Sequence, residues 1–267
     1  KGKNKDGNLF IKEAFKNGAS LAVTDKFKND KKQIRTKDTL KFLTEASSIL
    51  RENNDSKIIA ITGSSGKTSL KELIGKSLNK ICNTTYSPKS FNNKFGVPLS
   101  LFNLRKNDNF GIFEVAMDKK GEIDYLSKII KPDVGVITNI SYAHIKNFKN
   151  IKEIALAKSE IIENIKEDGY LVLNADDSYY NFHKKIALKR KLNIFSFSIK
   201  DKSSNIYLNS IKKEKSKYKV LVNINNLNKH FYLSTPYEND IKNLLAAIAI
   251  ISIFKDSHFI VLYGVDS

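Results

Sequence analysis

The feature that most constrains this chain is a strand, a glycine-rich turn and a helix in immediate succession. The short apolar, β-branched run Lys57-Ile58-Ile59-Ala60-Ile61-Thr62 stops at Gly63-Ser64-Ser65-Gly66-Lys67-Thr68, and a stretch with Leu70, Leu73, Ile74 and Leu78 on one helical face follows. Backbone N–H groups in such a turn can surround phosphate oxygens, and the helix N-terminus adds a favourable dipole. The loop therefore predicts binding of a nucleoside triphosphate, ATP with Mg2+. Lys67 would reach the terminal phosphates, and the Thr68 hydroxyl would join the magnesium shell. The strict Walker pattern asks for a glycine where Ile61 stands, so the shorter Gly-x-x-Gly-Lys-Thr form is what remains. Such a hexapeptide can also be a plain Gly-Ser turn; the flanking strand and helix favour the phosphate reading.

The same alternation continues downstream. Strand patterns at residues 109–115, 134–138 and 170–174 alternate with helical patterns at 123–130 and 151–165, and an apolar helix is expected at 241–254. This predicts the α/β class: a central P-loop domain over 57–267 with a mainly parallel sheet flanked by helices. Residues 193–233 turn to short alternating strands with polar turns. Upstream, a helix and strand over 8–24 and a helix over 39–50 suggest a small α/β domain over 1–56. The polar stretch 51–56 reads as its linker.

Composition excludes several classes. One cysteine, Cys82, permits no intrachain disulfide framework or cysteine zinc site, which fits a reducing cytoplasm. The longest mainly apolar run, residues 244–254, is shorter than the roughly 20 residues a membrane span needs. The net charge of +18 comes from lysines scattered along the whole chain, with no arginine-rich block and no basic–aromatic interleaving. It is read as solvated faces and as attraction for an anionic small-molecule substrate, not as a nucleic-acid surface.

Three further residues could carry chemistry. Glu114 closes an apolar strand at its carboxyl end, where α/β sheets place ligands; it could hold magnesium or be a solvated strand-end carboxylate. His144 follows the third strand and is, taken alone, a surface histidine. Lys158 lies within a helix and, among so many lysines, reads equally as a solvated residue.

In order along the chain, Thr62 to Thr68, Ser90-Phe91-Asn92-Asn93-Lys94-Phe95-Gly96-Val97-Pro98, Glu114 with Lys120-Gly121-Glu122-Ile123, Asn139 with Ala143-His144, Ala157-Lys158-Ser159-Glu160-Ile161 and Asn174-Ala175-Asp176-Asp177 resemble the ATP-dependent Mur ligases of peptidoglycan synthesis. The resemblance implies that a substrate carboxylate takes the γ-phosphate of ATP and that an amine then attacks the acyl phosphate, giving a peptide bond. The Asn-Asn-x-x-Gly-Val-Pro stretch is most similar to the members that add D-alanyl-D-alanine to a UDP-linked muramoyl tripeptide. Third-residue-adding, cyanophycin and folylpolyglutamate types, and a P-loop nucleotidase or kinase, stay open as alternatives.

The resemblance further implies that Gly63, Ser64, Ser65, Gly66, Lys67, Thr68 and Asn243 bind nucleotide and that Asn92 and Asn93 hold the nucleotide-sugar peptide. It implies that Thr68 and Glu114 serve one magnesium ion, and that His144 and a carbamylated Lys158 serve a second. Lys67, His144 and Lys158 form the expected catalytic set. Departures from the family pattern fall at Lys89-Ser90, Asp118-Lys119-Lys120 and Asn239-Asp240. A monomeric, cytoplasmic enzyme without nucleic-acid partner or stable membrane insertion is expected. So is a chain that begins inside the UDP-substrate domain, stops before a third domain, and alone binds nucleotide weakly with little ligation.

Overall fold

A computed structural model describes residues 6–26, 31–142 and 147–254. A 3-10 turn at Gly7–Phe10 leads into α1 (Ile11–Lys16), and β1 (Ala22–Thr24) pairs in parallel with β2 (Gln33–Arg35) as a sheet of its own. Helix α2 (Thr39–Glu52) follows. Asp38 starts it, its Oδ1 accepting from the Leu40 and Lys41 N–H groups that have no partner within the helix.

The segment expected to be a polar linker is instead bolted down. Arg51 is 3% exposed. Its guanidinium donates to the carbonyls of Ile130 (2.8 Å), Asn54 (2.7 Å) and Lys131 (3.2 Å) and pairs with Asp133 at 3.6 Å. A planar five-donor group can be buried when acceptors surround it. Asn54 and Ser56 are buried beside it, donating to Arg105 O and Asp108 O. Arg51, Asn54 and Ser56 use their polar groups in internal hydrogen bonds, while Glu52, Asn53 and Asp55 face solvent.

The large sheet is built from β3 (Lys57–Thr62), β4 (Thr84–Tyr86), β5 (Phe110–Glu114), β6 (Val134–Ile137), β7 (Tyr170–Asn174), β8 (Asn193–Ser198), β9 (Ile206–Glu214), β10 (Lys217–Ile224) and β11 (Leu227–Leu233). Its order is β4-β5-β3-β6-β7-β8-β9-β10-β11. Pairing is parallel from β4 to β9 and antiparallel across β9-β10-β11. The expected mainly parallel sheet is thus present, with an antiparallel meander at one edge. Helices α3 (Lys67–Leu78) and α8 (Glu238–Ile253) cover one face, and α5 (Glu122–Ile130) and α6 (Ile151–Glu163) the other.

Alternation along β3 explains the two cores. Ile59 and Ile61 pack with Leu70, Ile74 and Leu245, while Ile58 and Ala60 pack with Ile123, Ile130 and Ile161. A strand buried on both sides must be continuously apolar, as this one is. Among the described residues no helix is long and apolar enough to cross a membrane.

Four elements have no counterpart in the pattern reading: β2, β4, α4 (Gly96–Leu101) and α7 (Tyr180–Lys189). Strand β4 has three residues, too few for a period. Helix α4 opens on Gly96 and carries Pro98, both of which read as breakers. Proline is tolerated in a first helical turn because its missing N–H has no intrahelical acceptor there.

From β3 the chain crosses to the edge strand β4, returns to β5, then passes over β3 to β6. The order reverses beside β3, which is where open α/β sheets leave a crevice for ligands. The registers Ile61↔Glu114 and Thr62↔Ile137 bring the carboxyl ends of all three strands together at that crevice.

Candidate functional site

Two glycines shape the phosphate loop. Gly63 has φ +145°, and a Cβ there would lie 1.8 Å from Thr138 Oγ1; Gly66 has φ +79° and caps α3. Both conformations favour a residue without a side chain. The loop is stapled to the segment after β6. Ser64 N donates to Asn139 O (3.0 Å), Ser65 N to Asn139 Oδ1 (3.0 Å), Thr138 Oγ1 to Ser65 O (2.7 Å) and Ser141 N to Ser64 Oγ (2.9 Å). Thr138, Asn139 and Ser141 thus set the loop's shape from outside it, which no local motif reveals.

Lys67 and Lys158 converge on one acceptor. Each donates from Nζ to Gly63 O at 2.9 Å. Lys158 is 2% exposed, so it is not the solvated helix residue its surroundings in sequence allow. Burial, and then the neighbouring Lys67, push its amine down to about 7. Burial also lowers Lys67, against the pull of Glu114. Both causes favour the neutral, nucleophilic form of the Lys158 amine.

Glu114 is likewise no solvated strand end: it is 2% exposed. Thr68 Oγ1 donates to its Oε2 (2.7 Å) and Asn92 Nδ2 to its Oε1 (2.8 Å). A hydroxyl oxygen and a carboxylate oxygen side by side at a phosphate loop suit a hard, oxygen-seeking cation. The fit is to a shared site: among the described residues no group of three or more His, Cys, Asp or Glu could hold a metal unaided.

Beside Lys67 lies a cavity of about 640 Å³, lined among others by Asn92, Asn93, Phe95, Met117 and Tyr125. Asn92 and Asn93 do different work at its edge. Asn92 reaches Glu114, and its carbonyl accepts from Ala116 N (2.9 Å). Asn93 Oδ1 accepts from Phe95 N (3.1 Å) and Gly96 N (3.0 Å), starting α4. Glu160 accepts from the N–H of Gly121, which lines the cavity, at 2.8 Å, and from Asp124 N (3.1 Å) at the start of α5. One helix, α6, therefore carries Lys158 to the phosphate loop and Glu160 to the start of α5, beside the cavity-lining Gly121.

The structure brings Gly63, Ser64, Ser65, Gly66, Lys67, Thr68, Glu114, Asn92, Asn93 and Lys158 into one crevice. Asn243, from the far end of the chain, joins them: a Cβ added at Gly66 would lie 3.0 Å from its Oδ1. His144 lies outside the described residues.

Residues 61–251 match the family model described as the Mur ligase middle domain. The UDP-N-acetylmuramoyl-tripeptide–D-alanyl-D-alanine ligase of Buchnera aphidicola subsp. Baizongia pistaciae is 37% identical over 257 residues, covering 93% of this chain and 54% of the relative. The protein of the same name from Escherichia coli strain K12 is 31% identical over 197 residues, covering 73% and 44%. Among solved structures, MurF from Acinetobacter baumannii superposes with a TM-score of 0.86 at 29% identity, covering 98% of this chain and 57% of that one. MurF ligase from Thermotoga maritima in complex with ADP gives 0.82 at 26% identity, covering 95% and 58%. The chain spans about half the length of the curated relatives it matches.

Proposed function

The chain belongs to the Mur ligase family, and from that premise we propose that it carries the ATP site of a ligase joining D-alanyl-D-alanine to a UDP-N-acetylmuramoyl tripeptide in the cytoplasm. In this reading residues 1–56 belong to the UDP-substrate domain and residues 57–267 to the central ATP-binding domain. The observation that supports it best is the adjacency of Lys67 and the Thr68–Glu114 pair to the cavity edged by Asn92 and Asn93. A phosphate donor and an acceptor could meet there.

The chemistry follows from the groups present. A carboxylate is a poor electrophile. Its oxygen attacks the γ-phosphorus of ATP, ADP leaves, and the resulting acyl phosphate has phosphate as a good leaving group. The amine nitrogen of D-alanyl-D-alanine then attacks the acyl carbon, forming the amide bond and expelling phosphate. Lys67, now on Gly63 O, swings to the terminal phosphates and offsets charge on the transferred group. Loop N–H groups and the start of α3 hold the phosphates. Asn243, beside Gly66, would meet the base, as the family resemblance implies.

Magnesium held by Thr68 and Glu114 would neutralise phosphate charge. A second ion would involve His144 and Lys158. As an ammonium Lys158 would repel it; carbamylation turns the side chain into an anionic oxygen ligand. That modification needs a neutral amine, which burial provides.

The test is ADP release by the complete gene product. Release should require both the muramoyl tripeptide and D-alanyl-D-alanine, with the pentapeptide product seen by mass. Phosphate release indifferent to the amine would assign a nucleotidase instead, and product formation with a different amine would assign another ligase of the family.

A further inference from the structure

Lys71 is fully buried on α3, one turn beyond Lys67 and Thr68, and the chemistry above makes no use of it. Burying a lysine is costly unless its donors are taken up. Here each has a partner: Nζ donates to Ser87 O (2.7 Å) and Lys89 O (2.5 Å) and pairs with Glu72 at 3.1 Å. The two carbonyls belong to a turn in which Lys89 has φ +48°, a left-handed conformation uncommon for a residue with a side chain.

That turn leads directly to the cavity edge. Phe91 N donates to Pro88 O (3.1 Å), and Ser87 Oγ accepts from Glu114 N (3.3 Å). Asn92 then bridges to Glu114, and Asn93 starts α4. The same helix thus presents Lys67 and Thr68 to phosphate from its first turn and grips the approach to Asn92 from its second.

We propose that Lys71 is a positioning residue: by holding Ser87 O and Lys89 O it sets the turn that places Asn92 and Asn93 against the phosphate loop. This rests on reading the cavity as the muramoyl-tripeptide site. Lys71 touches neither substrate; it fixes the distance between the two halves of the site.

The test uses the complete gene product, with ADP and UDP-N-acetylmuramoyl tripeptide as probes. Lys71→Met keeps the length of the side chain and removes its donors. The expected result is a tripeptide KM raised about tenfold or more, with ADP affinity within about twofold of the parent. At the exposed Lys89, Lys89→Val puts a β-branched residue where φ is positive and distorts the turn without touching the core, whereas Lys89→Asn tolerates that conformation. Lys89→Val should raise the tripeptide KM in the same way, and Lys89→Asn should leave it within about twofold.

A folded Lys71→Met protein with unchanged tripeptide KM, or one that loses both ligands equally, overturns the proposal. If Lys71→Met does not fold, the position-89 pair decides: equal KM values for Val and Asn overturn it. A parent protein that fails to bind the tripeptide sinks the functional reading itself, a result distinguishable from unchanged variants of a parent that binds.

Discussion

Two loops at the same end of the sheet lead from a strand to a helix that begins near a glycine, and they are held in different ways. The phosphate loop between β3 and α3 takes its form from Gly63 and Gly66, and its own lysine folds back on Gly63 O. The 87–95 loop between β4 and α4 has its own turn bonds at Pro88 and Asn93 but carries no glycine before α4, and it is tied to Lys71, Glu114 and Ala116. The phosphate loop has its motif in contiguous residues, although Thr138, Asn139, Ser141 and Lys158 also brace it from outside. A loop that must sit at a set distance from another site has to be tied to it.

The largest effect should come from Lys67→Ala in the complete gene product. On the proposed mechanism it removes the cation that offsets charge on the transferred phosphoryl, so turnover should fall about a hundred- to a thousandfold. Tripeptide binding should survive, because the 87–95 loop does not depend on Lys67. Steady-state kinetics with a separate binding titration checks both halves; near-normal turnover would remove the phosphate loop from the mechanism.

A matched pair of glycine substitutions sharpens the contrast. In Gly63→Ala the new Cβ meets Thr138 Oγ1 at 1.8 Å; in Gly96→Ala it meets the Phe91 Cα and carbonyl carbon at 2.6 Å. Overpacking of this kind costs about 1–3 kcal/mol. Gly63→Ala should weaken ADP binding and spare the tripeptide, and Gly96→Ala should do the reverse. Calorimetric titration of both ligands decides; if each variant loses both ligands alike, the loops are one unit and the distinction fails.

This difference also explains what could be read in the chain beforehand. The phosphate loop was legible because its chemistry lies in contiguous residues and in backbone N–H groups, and Glu114 because it ends an apolar run. The parallel sheet followed from the alternation of patterns. The parts proposed for Asn92 and Lys158 came only through family resemblance, because what singles them out are contacts distant in sequence: Asn92 with Glu114 at the end of β5, and Lys158, buried on α6, with Gly63 O. Lys71 had no signal at all: among 46 basic residues, one buried lysine looks like any other. In the 51–56 stretch polarity likewise does not tell whether partners are water or protein: Arg51, Asn54 and Ser56 bond within the protein, and Glu52, Asn53 and Asp55 are exposed.

Lys158 tests how local the phosphate loop is, because it grips Gly63 O from a distant helix. Its folded pKa, about 7, lies below the ordinary lysine value of 10.5, so between those values the unfolded chain binds more protons than the folded one. Stability must then rise with pH across that window as the burden of a buried charge is lifted. Lys158→Met lacks this dependence and keeps the apolar packing. The melting temperature of the parent should therefore gain on that of Lys158→Met as pH increases from 6 to 9, by at most about 1.4 kcal/mol per pH unit. For a domain of this size that is roughly 2–4 °C per kcal/mol. Melts must be run without bicarbonate, so that carbamylation does not add its own stabilisation. A gap that stays constant over the range would mean Lys158 remains an ammonium in the folded protein. The phosphate loop would then be braced by a permanent charge, and the amine would not be available for carbamylation.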